Sequence, residues 1–268
     1  MEARNSMLDG LLIPLETYVP PGVHDFDFRA KGLLGIDWLN KPMIQAIVAF
    51  LIIAIFFLSI SRKLQVVPSK VQWAAEEIYN LVRNSISREL IGPEFKKFTP
   101  YLLALFTFIL LSNWFGQLFL FMFPTFSMIG YVYGFALVSF IMYVTVGFKT
   151  HGLRYLKYSL VPPGTPGYLL PLMVPLEFLS NFITRPVTLA VRLFANMLAG
   201  HLSVLVFAVG GGFLITYADN LFLNLTGVLA LVFSLAMACL ELVVGFLQAY
   251  VFTVLNAQYI SSSLSEGH

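Results

Sequence analysis

The sequence predicts an all-α integral membrane protein. It has an N-terminal transmembrane helix, an amphipathic surface helix, a transmembrane hairpin and a long, steeply tilted C-terminal helical hairpin. Three observations carry that prediction. Of 268 residues, 58% are hydrophobic and only 11% are charged, where a soluble domain carries about 25% charged residues. Mean hydropathy is +0.82. The charges are also segregated, leaving several uncharged stretches long enough to cross a bilayer.

The same composition excludes other classes. A net charge of +2 is too small to imply a nucleic-acid partner. One cysteine, Cys239, permits neither an internal disulfide nor a zinc cluster, and it reads as a small apolar residue on a membrane helix. No cofactor signature is present: Gly210–Gly212 lacks the Lys-Ser/Thr that would make it a phosphate loop. Asn224-Leu225-Thr226 matches a glycosylation sequon by chance, in an apolar setting.

Residues 1–42 form an extramembrane N-terminal segment, mixed in charge and broken by Pro20-Pro21-Gly22. Residues 43–268 form one multi-pass membrane domain. Its first span is 43–61, MIQAIVAFLIIAIFFLSIS, which starts too late for a cleaved signal peptide. In 71–90 the apolar residues Val71, Trp73, Ala74, Ile78, Leu81, Val82 and Ile86 fall near one helical face. Glu76, Glu77, Asn80, Arg83 and Asn84 fall largely on the other. This amphipathic helix lies at the membrane surface or against a partner.

Spans at 100–123 and 126–148 follow, with a turn near Pro124, and then a basic loop with Lys149, His151, Arg154 and Lys157 before the breaker at 162–167. The loops rich in Lys and Arg then share one side, which the positive-inside rule makes the cytoplasm. The N-terminus is therefore outside and, after five crossings, the C-terminus is cytoplasmic. Segments 168–208 and 221–260 are each too long for a perpendicular crossing: the first would be ~60 Å as one helix. An oblique antiparallel pair fits them, with a turn containing Gly210–Gly212, Asp219 and Asn220.

After Lys157 only six formal charges remain: Glu177, Arg185, Arg192, Asp219, Glu241 and Glu266. Asp219 belongs to the turn and Glu266 to a polar tail. A charge at bilayer depth costs roughly 2.5–3.5 kcal/mol on insertion scales, so Glu177, Arg185, Arg192 and Glu241 are functional candidates, with His201. Bland readings stand beside them. Arg185 could snorkel or brace a loop, Glu177 could be interfacial, and His201 could be a satisfied interior histidine. Arg192 sits too far from either helix end to snorkel, and no acid lies within ten residues of it.

At 100° per residue Arg185, Arg192 and Asn196 share a face, whereas His201 points away. Glu241 and Gln248 share a face of the final helix. One antiparallel register with its turn near residue 220 sets Arg192 against Gln248, His201 against Glu241 and Arg185 against Asn256. A His–Glu pair in an apolar bundle suits proton relay. Arg192 cannot relay, and its partner is expected to be a carboxylate on another subunit.

The stretch PLEFLSNFITRPVTLAVRLFANMLAGH, followed by ELVVGFLQAYVF, resembles subunit a of the rotary F-type ATP synthases. So do VPSKVQWAAEEIYNLV, GPEFKKFTPYLLALFTFILLSNWFG and HGLRYLKYSLVPPG, which extends the likeness over roughly 67–260. The resemblance implies a stator subunit, not an enzyme on its own, packed against a ring of c subunits with mid-membrane carboxylates. It forms two proton half-channels that couple proton flow to rotation. It also implies peripheral-stalk b-type subunits, a lipid bilayer, and a bacterial plasma membrane or organelle inner membrane.

By resemblance, Arg192 forces the ring carboxylate to release its proton and blocks a leak. His201 and Glu241 occupy the outer half-channel, where the family has the pair in either order. Asn196 and Gln248 flank the arginine, and Glu177 serves the inner half-channel. Two departures stand out: Ala195 replaces a Gly common before the Asn, and Glu177 lies one residue further from Arg185-Pro186. A self-contained secondary transporter or ion channel is the alternative, but no inverted repeat supports it. A non-transporting scaffold leaves the buried charges unexplained.

Overall fold

The computed structural model describes residues 20–22, 40–62, 64–117, 125–161, 167–217 and 220–265. Among these the regular structure is entirely helical. Five helical runs are long and apolar enough to cross a membrane. Most of segment 1–42, Pro124, Pro162–Pro166, Asp219 and Glu266 lie outside the described residues.

Helix α1 (Lys41–Ser61) starts where Asn40 accepts the Met43 N–H at 3.2 Å, with a proline in the first turn. Such a cap satisfies a donor that the helix itself leaves open. Phe50, Ile55 and Leu58 are exposed around it, as expected for a helix facing lipid. Tyr131 donates to Asn40 Oδ1 at 2.7 Å, tying the start of α1 to the start of the helix Ile129–His151.

The amphipathic segment becomes α2 (Lys70–Asn80), a π-helical stretch Leu81–Arg88 and a closing turn to Ile91. It buries against the rest of this chain, in the same cluster as the helices Phe95–Gln117 and Leu221–Ser265. Val82 and Ile86 in the π stretch are buried as the 3.6-residue periodicity predicts, and the departures fall before it, in α2. Gln72, Ala75, Val82 and Ile86 are buried, whereas Val71 and Trp73 are exposed. Gln72 is tolerated inside because it donates to the Gln65 carbonyl and to Glu76.

Gly92 reverses the chain at φ +76°, a conformation that favours glycine. Helix α3 (Phe95–Gln117) follows and is the spine of the molecule. Its Phe98, Leu102, Phe106 and Ile109 are fully buried among Val132 and Ala136 of α4 (Ile129–His151) and Ala249 and Phe252 of the last helix. The expected basic loop is largely helix. Lys149 and His151 close α4, and Arg154 and Lys157 belong to a short helix, α5 (Arg154–Leu160).

The C-terminal hairpin departs from its expected bounds. Helix α6 (Leu170–Phe178), a π segment (Leu179–Thr184) and α7 (Arg185–Tyr217) form one unbroken helical run, and α8 covers Leu221–Ser265. At 1.5 Å per residue each arm is about 70 Å long, more than twice the hydrocarbon thickness. Gly210–Gly212 lies inside α7 and not in the turn. The reason is packing: a Cβ on Gly211 would stand 2.8 Å from the Gly227 carbonyl oxygen. Glycine at both positions lets the two backbones touch. Asn220 does lie at the turn, accepting the Phe222 N–H at 3.1 Å.

Candidate functional site

Three groups of polar residues lie along the α6–α8 hairpin, and the first is the pair predicted from spacing. His201 Nε2 faces Glu241 Oε1 at 3.5 Å, with side chains only 6% and 11% exposed. This is an ion-contact distance, longer than a strong hydrogen bond. Neither carboxylate oxygen has a hydrogen-bond partner among the described residues. Two titratable groups therefore face each other in an apolar bundle with lone pairs still free, an arrangement suited to passing a proton.

Gly200 makes room for this carboxylate, since a Cβ there would stand 2.6 Å from Glu241 Oε1. Helix α3 fixes the other side. Asn113 donates to the Gly245 carbonyl at 2.9 Å, and Trp114 donates to the Leu242 carbonyl at 3.1 Å. Two side chains thus clip α3 onto the turn of α8 that carries Glu241. Gln117 interacts with the Glu241 carboxylate, although its buried amide nitrogen makes no full hydrogen bond. Sequence reasoning missed these α3 residues. Their signal was an asparagine and a glutamine inside an otherwise apolar span.

The second group surrounds Arg192. Its side chain is exposed on α7, beside exposed Val187, Val191 and Ala195. No hydrogen bond or ion pair reaches it from the described residues. Nine helical residues separate it from His201, a rise of about 14 Å, and His201 points inward. Asn196 is partly exposed and Gln248 is buried with a free amide nitrogen. No hydrogen bond joins Gln248 to Arg192.

The predicted Arg185–Asn256 pairing is not formed. The Arg185 guanidinium lies 5.0 Å from the centre of the Tyr259 ring, and Asn256 donates to the Phe252 carbonyl within its own helix. Crossing helices hold a strict antiparallel register only near their closest approach, and a long side chain spans the offset.

The third group lies about 22 Å of helix from Arg192, towards the start of the run, and centres on Glu177 and the π segment. Here the Arg185 N–H donates to the Ser180 carbonyl, five residues back. In an α-helix it would have served Asn181. The next residue, Pro186, has no N–H to offer. The Asn181 carbonyl is thus left open, and Tyr143 of α4 donates its hydroxyl to it at 2.9 Å. A π turn also takes up one residue more than an α turn, which sets the spacing between Glu177 and Arg185.

The Asn181 side chain donates from Nδ2 to the Ser159 carbonyl at 2.8 Å, to Ser159 Oγ at 3.3 Å and to Glu177 Oε2 at 3.3 Å. Nothing in the sequence pattern singled out Asn181, Ser159 or Tyr143. No group of three or more metal-ligating side chains occurs among the described residues.

Comparison with known proteins bears on this arrangement. The family model described as ATP synthase A chain matches residues 43–261. A Nocardioides protein named ATP synthase subunit a is 45% identical over 265 residues, covering 94% of this chain and 95% of that one. Its namesake in Pseudarthrobacter chlorophenolicus is 41% identical over 249 residues, 92% and 93% of the two chains. That of Bartonella quintana is 36% identical over 263 residues, 95% and 100%.

Proposed function

This chain belongs to the ATP synthase A chain family, and on that premise we propose that it is the stator subunit that conducts protons past the rotor of an F-type ATP synthase. Its partners are the c-ring and the other membrane-sector subunits, including b-type subunits of the peripheral stalk. It is a multi-pass membrane protein with its N-terminus outside and its C-terminus in the cytoplasm. Against the alternative of a self-contained transporter stand the relatives named above, each an ATP synthase subunit a matched over 93% or more of its own length.

The observation that carries the mechanism is the division of labour along α7. His201 faces inward against Glu241, while Arg192 is exposed with no ion-pair partner among the described residues. A proton entering from the outer side is handed along His201 and Glu241 to a carboxylate on the ring. Neutralised, that carboxylate can leave the polar stator and rotate through lipid, where a charge is costly. After a near-complete turn it meets Arg192. A guanidinium stays protonated at any working pH, so it attracts the ionised carboxylate and drives proton release towards Glu177 and the cytoplasm. It also repels protons that would pass straight between the half-channels. Asn196 and Gln248 flank this meeting point, and Arg185 braces the same face against Tyr259.

The test is Arg192→Ala in the reconstituted complex. ATP synthesis driven by an imposed proton gradient is expected to be abolished, with the complex still assembled. Normal synthesis in that variant would sink the mechanism. The isolated chain in liposomes is expected to conduct little, whereas a self-sufficient transporter would be active alone.

A further inference from the structure

We propose that Asn181 is the positioning residue of the inner half-channel, holding the Glu177 carboxylate in place through the π segment of the α6–α7 run. This rests on the inner-channel reading of Glu177 and deepens it. Four observations point there. Asn181 is buried, with 6% of its surface exposed, in a helix most of whose residues are open to lipid or partners. Its Nδ2 meets three acceptors at once: the Ser159 carbonyl, Ser159 Oγ and Glu177 Oε2. That fixes the orientation of the amide, because the reverse would set its oxygen against a backbone carbonyl and a carboxylate, neither of which donates. Its Oδ1 is buried and without a hydrogen-bond partner.

The backbone supplies the fourth. The π segment gives up one regular hydrogen bond at the Asn181 carbonyl, and Tyr143 replaces it from α4. The side chain is thereby anchored from below by its own backbone and from the side by α5. A purely structural asparagine would need one such anchor. This one has its amide hydrogens directed at α5 and Glu177, and a bare acceptor left over. Glu177, only partly buried, gains one fixed direction for its carboxylate. The free Oδ1 is an acceptor for a protonated group or water travelling between Arg192 and the cytoplasm. Buried polar groups are normally hydrogen-bonded, so one left open calls for a specific reason. π turns inside α-helices recur at functional sites for the same reason: they free backbone groups.

The experiment uses the complete complex in liposomes, comparing Asn181→Leu, Asn181→Ser, Glu177→Gln and the double variant Glu177→Gln/Asn181→Leu. Proton-driven synthesis is read against pH on the cytoplasmic side, with outer pH fixed. Asn181→Leu is expected to slow synthesis several-fold and to change the shape of that pH profile. Asn181→Ser, too short to reach Glu177 but small and polar, is expected to reproduce the change if the leucine variant fails to assemble. The double variant is expected to be no slower than Glu177→Gln alone, since the two act as one unit.

Effects that multiply, or a uniform drop with an unchanged pH profile, would overturn the positioning role while leaving Glu177 in the path. Wild-type behaviour of either Asn181 variant would do the same. Wild-type behaviour of Glu177→Gln would overturn both readings together.

Discussion

His201 and Glu241 come together at 3.5 Å from opposite arms of the hairpin, and the notch at Gly200 explains how the carboxylate fits between helices. The notch is not symmetric: it accommodates a flat carboxylate sent from α8. Removing either partner, by His201→Ala or Glu241→Ala, is expected to lower proton-driven synthesis by roughly a hundredfold or more, the usual range for a lost proton-transfer group. Exchanging the two, His201→Glu with Glu241→His, keeps an acid and an imidazole in contact and is expected to recover part of that loss. Recovery stays incomplete because an imidazole from α8 must enter a space shaped for a carboxylate. Rates in inverted vesicles decide it, and a swap no better than the worse single variant would argue against direct exchange. This pair was legible from sequence because charges are rare in these helices and an antiparallel pair has one free parameter. Arg185 was misplaced by the same argument: equal rise and zero crossing angle fail away from the contact point, and Tyr259 takes the guanidinium.

The elements divide into those whose period is regular and those where it slips. Helices α1, α3 and α4 form on the uncharged apolar stretches, whose length a bilayer sets. The two π segments were not legible, since a 3.6-residue template has no place for an extra residue. Gly210–Gly212 was misread because three glycines signal a turn in water. Between membrane helices they signal close approach, as the Gly211–Gly227 contact shows. That contact predicts its own test. Gly211→Val places atoms against the Gly227 carbonyl oxygen, which no rotamer change relieves, and is expected to force the arms apart near the turn. Gly212→Val meets nothing within 4 Å at its Cβ. Membrane-inserted complex, measured by blue native electrophoresis, should fall sharply for the first and little for the second. Equal yields would mean that the hairpin tolerates separation.

At the scale of the whole molecule, the distribution of exposure decides what must lie outside it. Helix α3 is wrapped by its own chain, whereas α7 and α8 leave long apolar faces open, among them Val187, Val191, Val243 and Leu247. Lipid could cover most of such a surface, but not the part around Arg192. An unpaired guanidinium at bilayer depth is unfavourable against hydrocarbon and favourable only against a counter-charge or water. On the proposed function, the face bearing Val191, Arg192 and Ala195 is the one expected to meet the ring, and the opposite face of the same helix, with Leu189 and Leu193, is sealed inside the chain. Replacing the exposed Cys239 by Ala gives a background without thiols of its own. In it, Val191→Cys is expected to form a disulfide with a cysteine placed one turn from the ring carboxylate, while Leu189→Cys is not. Crosslinking should also follow rotation, so ATP-driven turnover before oxidation would spread the bond over several ring subunits. A crosslink from Leu189→Cys with none from Val191→Cys would place the rotor on the other side, and the roles assigned to Arg192 and His201 would fall with it.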